Sequence, residues 1–425
     1  MEATLDGLLA DDAGGDLFPV PESVSDPRAF GELRRRVLET RKGGPEAERA
    51  KRELRRAEME AMQSLRAWWI QRMRYAPQPL RENMVLFWHG HFASSIEKVR
   101  GAHLLWKQNE MFREHALGSF ASLARAVVRD PAMMRYLDVA GSRKGKPNEN
   151  FARELMELFL LGEGNYSEQD IKEAARAFTG LRVNPDSLDA TMAARQHDGG
   201  PKTVLGRTGN FGPEDVVGVL LDQPSCARFI AGKLWVYFTG SPLEDPHLDD
   251  LAAGFRESGY QTGPLVRRIL ASEGFHASRG RQIKSPVQWL VGSAIALEAP
   301  LDGSPAQQNA LRELGQDLFA PPNVKGWEGG RAWISSTTLL ARCNLAGSLF
   351  VAKLSKPSRL FDPGALSDPA ALRASAERRL LAVPAAAASR RSFDEFLAGC
   401  GMPAGEDALA DLIRLVMSSP EYQIT

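Results

Sequence analysis

The run Phe87-Trp88-His89-Gly90-His91-Phe92 places two imidazoles two residues apart inside an aromatic string. Imidazole is an acid/base group near neutral pH and a common metal ligand. Two positions along a regular helix is a rotation of about 200°, so His89 and His91 cannot hold one ion from an unbroken helix. From a strand, or from a helix broken at Gly90, they can. The structural alternative is a pair of core or rim histidines satisfied by carboxylates. The spacing of helical zinc proteases, two histidines at i and i+4 around a Glu, is absent.

A second group is Asn148-Glu149-Asn150 with Arg153, Glu154 and Glu157. Glu154 and Glu157 are three apart and share a helix face. Paired carboxylates suit metal binding or acid/base work, because each raises the other's pKa. An exposed face laced by Glu149, Arg153 and Glu157 explains the same pattern without chemistry. The third group is His197-Asp198-Gly199-Gly200-Pro201-Lys202. A loop His beside Asp, Lys and glycines is not a core-packing pattern. It contributes to a polar pocket, joined by Asp170, Glu173 and Arg176, or it is a surface turn.

The catalytic candidates are therefore His89, His91, Glu154, Glu157, His197 and Asp198. Asn148, Glu149, Asn150, Arg153 and Lys202 are candidates for binding. A divalent metal, where one is held, would draw on His89, His91, Glu154 and His197. With only His, Asp, Glu, Arg and Lys on offer, the chemistry is hydrolysis or acid/base work, metal-assisted or not. In this leading reading Glu154 and His89 serve as ligands or general bases. Arg153 and Lys202 neutralise an anionic substrate or orient the carboxylates. The alternative is a non-enzymatic binding or assembly partner, in which the polar cluster is a structural network. No dinucleotide, P-loop or serine-hydrolase signature is present.

These groups need elements to hold them, and the period of the apolar residues is helical nearly throughout. Helices are expected at about 29–41, 46–74, 104–129 and 148–161. Asp130-Pro131 opens a short one. In 148–161, Phe151, Ala152, Leu155, Met156, Leu158 and Phe159 fill one arc, roughly 180–340° from Glu149. Ser167 and Asp170 form a capping box for a helix at about 168–178. Residues 181–212 read as irregular. Ser225 caps a helix over about 226–239, and further helices run to about 418. Trp327 and Trp333 clamp the Gly/Pro-rich loop 320–335 onto the core or, alternatively, line a pocket. With no parallel strand–helix alternation, the fold class is all-α: one large irregular multi-helix domain over 29–425 with long loops. An acidic, Gly- and Pro-rich segment, 1–28, is expected to be poorly ordered.

Composition narrows the partners. Lys plus Arg and Asp plus Glu number 53 each in 425 residues, so no global field draws nucleic acid or an anionic membrane. No apolar run reaches the roughly 18–20 residues that span a bilayer. The N-terminus as written is not a secretory signal, which predicts a cytoplasmic protein. Cys226, Cys343 and Cys400 form no disulfide or metal pattern and are expected as buried small hydrophobes.

Several strings carry a resemblance: LFWHGHFASS (86–95), HALGSFASLARAV (115–127), PAMMRYLD (131–138) and PNENFARELMELFLLGEGNYSEQDIKEAARAFTG (147–180). HDGGPKTVLGRTGNF (197–211), FIAGKLWVYF (229–238), PPNVKGW (321–327) and SPEYQ (419–423) add to it. From about residue 65 onward the chain resembles the bacterial domain-of-unknown-function family 1800. The resemblance implies a mainly helical protein of unestablished activity. It also implies export, and a neighbour from an exported family similar to sulfatases and phosphatases. Two features depart from the family. The usual His-Leu-x-x-Arg segment and export signal are absent, which implies an exported protein if the true start lies upstream. Leu160 stands where a Thr is common.

Overall fold

The computed structural model describes residues 2–9, 18–26, 28, 30–40, 44–185 and 187–425. Its spine is the helix Pro45–Tyr75. Proline at its first turn and acidic Glu46 and Glu48 favour the start, and Arg72 and Arg74 complement the dipole at the end. The first half is solvated and carries ion pairs such as Arg56–Glu60 at 2.8 Å. The second half turns apolar and buries Leu65, Trp68, Trp69 and Ile70.

Pro79 opens the next helix, Pro79–His91, and Ala102–Glu114 packs across both. One ionic knot ties the three. Glu82 accepts from Arg113 at 2.6 and 3.0 Å and from Trp69 Nε1 at 3.1 Å. The stretch expected as one helix over 104–129 is two, because the chain turns at residues 115–119 and Ser119 caps Phe120–Val127.

Across the described residues the structure is 65% helical and 4% strand, a mainly α fold. The strands lie in 181–212, which the sequence pattern marks as irregular. Leu181–Val183 pairs antiparallel with Ala190–Met192, and Lys202–Val204 with Arg207–Gly209. The second hairpin turns on Leu205 and Gly206, both at positive φ (48° and 77°), as the tight turns matched to strand twist require. The helix Pro224–Thr239 begins two residues earlier than the Ser225 cap implies, with Pro224 in its first turn.

Helices Ser336–Leu345, Pro369–Leu380, Ala387–Ala398 and Glu406–Met417 complete the fold. The chain then returns to 280–284: Lys284 N donates to Gln423 O at 2.8 Å and Thr425 N to Gln282 O at 2.9 Å. Of the segment expected to be poorly ordered, Glu2–Leu9 and Glu22–Ser25 are helical, with Leu5 and Val24 buried. Residues 1, 10–17 and 27 of that segment lie outside the described residues. Cys226 is buried, whereas Cys343 and Cys400 are partly exposed. No helix among the described residues is long and apolar enough to cross a membrane.

Candidate functional site

Helix Pro79–His91 runs unbroken through Gly90, so His89 and His91 leave it in different directions. His89 is buried at 1% exposure, with its ring against Trp69, Phe319 and Trp327 at centroid distances of 5.2, 5.1 and 5.5 Å. Its Nε2 accepts from the Phe319 amide at 3.2 Å. Burial lowers its pKa to about 3, so the ring is neutral. The tight position is Gly326. Gly326, at φ 80°, lies so close that a Cβ there would stand 2.2 Å from the Gly90 carbonyl. That contact, with Trp327 against His89, seats the 320–335 loop, and Trp333 in the same loop is buried.

His91 points to the helix that carries the second group. Its Nε2 donates to Phe159 O at 2.9 Å, and its Nδ1 accepts from Lys233 Nζ at 3.3 Å. Lys233 donates also to Leu158 O at 3.1 Å and lies 4.6 Å from the centre of the Phe229 ring. The expected α-helix over 148–161 changes pitch, and the two carbonyls lie among the last four before its end at Leu160, which find no partner within a helix. It is α over Asn150–Glu154 and π over Leu155–Leu160, and a single widened turn of this kind loosens the carbonyl ladder. His91 and Lys233 thus cap the π-turn. Burial lowers the Lys233 pKa to about 8, and His91 is held well below its ordinary range by burial and by Lys233. Sequence reasoning missed Lys233. Its signal was a lone Lys between Ile230 and Leu234 in an apolar helix.

The buried arc of the 148–161 segment is the expected one: Phe151, Ala152, Leu155, Met156 and Phe159 are buried. On the opposite face Arg153 holds Glu168 with two bonds of 2.6 and 2.7 Å and lies 3.8 Å from Glu149. Tyr166 donates to Glu157 at 2.9 Å. Asn148 accepts from the Asn150 amide at 3.0 Å and donates to Asp138 O at 3.0 Å, while the Asn150 side chain is exposed. Glu154 has no hydrogen-bond partner among the described residues. Burial, then the Glu157 charge, raises its pKa against the pull of Arg153 and Lys325.

The 197–202 loop belongs to a different helix, Glu168–Ala177, which starts with the expected Ser167/Asp170 capping box. Asp198 accepts from Arg176 Nε at 2.8 Å and from the Gly200 amide at 3.0 Å, and these two contacts lower its pKa to about 2. Arg176 also holds Glu173 at 2.8 Å and Pro201 O at 3.1 Å. His197 Nδ1 donates to Thr179 O at 2.9 Å. Lys202 is buried and donates to Gly200 O at 3.0 Å, and burial lowers its pKa. Asp170 and Glu173 accept from the Leu205 and Thr203 amides at 2.7 and 3.1 Å, which docks the second hairpin on this helix.

The candidate histidines thus sit in three separate settings, His89 with the 320–335 loop, His91 with the π-turn, and His197 with Asp198 and Lys202 against helix Glu168–Ala177, while Asn148, Glu149, Arg153 and Glu157 find partners at Asp138, Glu168 and Tyr166 or among themselves. Among the described residues no group of three or more His, Cys, Asp or Glu side chains could hold a metal ion, so the donor set His89, His91, Glu154 and His197 does not fit one. A family model described as a protein of unknown function (DUF1800) matches residues 1–424, a longer stretch than the strings that carry the resemblance. No curated protein and no solved structure matches the chain.

Proposed function

The chain belongs to the DUF1800 family of proteins of unknown function, and from that premise we propose that it is a binding or assembly protein whose polar motif residues hold its helices in register. One observation carries this reading: every candidate side chain except Asn150 and Glu154 is committed to a partner inside the fold. A general acid or base must be free to exchange its proton with a substrate. Motif residues consumed as caps and ion pairs act on packing instead. The partner we assign is the co-encoded exported protein similar to sulfatases that the family resemblance implies. Co-expressing the two and sizing the product by light scattering tests this. A stoichiometric complex is expected, and separate elution of the two chains would overturn the reading.

A second reading, an acid/base or hydrolytic enzyme, rests on Glu154 alone. It is half-buried, unpartnered among the described residues, and held above the ordinary carboxylate range by burial and Glu157. Hydrolysis of generic ester and phosphate substrates that is lost in Glu154→Gln, with melting unchanged, would favour it over the first. Activity that survives Glu154→Gln would remove it.

A further inference from the structure

We infer that a cleft lined by none of the candidate site residues is a binding site for a small amphipathic anion, an acyl or aryl body carrying a phosphate or carboxylate. The cleft encloses ≈ 430 Å³ between the chain leaving helix Pro286–Ala296 and the turns over 346–360. That volume lies within the range of about 300–1,000 Å³ typical of small-molecule sites. Its floor is apolar and already dehydrated: Leu297, Phe350 and Leu360 are buried. Its mouth carries Lys353, Lys356 and Arg359, none of which makes an ion pair or side-chain hydrogen bond among the described residues.

The nearby carboxylates are spent elsewhere. Glu298 pairs with Arg379, and Asp302 accepts from the Ser304 amide at 3.0 Å. Glu406 feels Lys356 and Arg359 but accepts its hydrogen bonds from the Ser358 amide and hydroxyl, at 2.8 and 2.6 Å. Lys353, Lys356 and Arg359 outnumber the Asp302 and Glu406 carboxylates, which keep their charge, so the net charge at the mouth is positive, above an apolar floor. An anionic head would engage the cations, where charge-assisted bonds are the strong ones, and its tail would cover the floor. The concave shape favours a free small molecule over a lipid surface, which shares the same chemistry.

Calorimetric titration with octyl phosphate below its micelle concentration tests the site. Saturable one-to-one binding is expected, weakened by at least about tenfold in Lys353→Ala/Arg359→Ala. Both substituted side chains are exposed, so the variant is expected to melt as the parent does. Octyl glucoside, with the same tail and no charge, and inorganic phosphate, with no tail, are expected to bind far more weakly. No saturable binding, equal affinity for octyl glucoside, or equal affinity in the double variant would overturn the proposal. So would co-sedimentation with anionic phospholipid vesicles in the absence of octyl phosphate binding.

Discussion

His89 shows how completely surroundings can remove a side chain's proton chemistry. The unfolded chain binds a proton at this site near pH 6.5, with each pKa unit worth about 1.4 kcal/mol, while the folded ring titrates at about 3. The folded pKa is depressed, so stability from this site is complete above the unfolded value and is lost as pH falls towards the folded one. At pH 5 the loss is about 2 kcal/mol. His91 acts in the same direction. Urea unfolding at pH 7.5 and 5.0 should show this loss in the parent and a flatter dependence in His89→Gln, whose amide can still accept from Phe319. A variant as acid-sensitive as the parent would contradict it. Gly326 sets a second residue-scale limit. Gly326→Ala would place a Cβ against the Gly90 carbonyl at a positive φ. It is expected to cost about 1–3 kcal/mol and to expose Trp327, read as a lower melting temperature with a red-shifted emission.

Among the elements, what the sequence made legible is where helices begin. Pro131 and Ser167 stand where the patterns put them, because an N-terminal proline or a capping hydroxyl acts within one turn. The hairpin at 202–209 was not legible, since its turn carries Leu205 where Asn or Asp would have signalled positive φ. The π-turn was equally hidden, as the same apolar arc serves either pitch. For the candidate site, the residue types were legible but their partners were not. Phe319 lies 230 residues from His89, and no local pattern encodes that meeting. The capping box offers a test at this scale. Asp170 serves both the Ser167 cap and the Leu205 amide, at 2.9 and 2.7 Å. Asp170→Ala should lower stability by about 1–2 kcal/mol and speed hydrogen exchange in residues 202–209 first. Uniform exchange along the chain would argue against this docking.

Across the whole molecule, buried charge is settled in two contrasting ways. Glu82 and Arg113 answer each other, and Arg113 and Arg72 hold the Glu82 pKa down against its burial. Arg113→Ala would strand the carboxylate, with an expected loss of about 3–5 kcal/mol by chemical denaturation. The double change Glu82→Gln/Arg113→Met should recover part of it, and failure to recover any would mean packing and not charge is at stake. Arg342, by contrast, is fully buried with no carboxylate partner among the described residues. It holds Gln423 Oε1 at 3.3 Å and Lys284 O at 2.8 Å, and burial lowers its pKa to about 10. This guanidinium therefore fastens the 419–425 return by backbone and amide oxygens alone.

The seating of the 320–335 loop on helix Pro79–His91 has a consequence in time. Arg66 and Gln63 on the spine likewise bond to Leu318 and Gln308, 252 and 245 residues away. During synthesis, at about 5–20 residues per second, the aromatic flank of His89 emerges from the ribosome well before its lid exists. A nascent chain halted short of Phe319 must keep Trp69, His89 and their neighbours uncovered. Such a chain is a standing substrate for chaperones, although the finished protein is helical and would otherwise be expected to fold from local contacts.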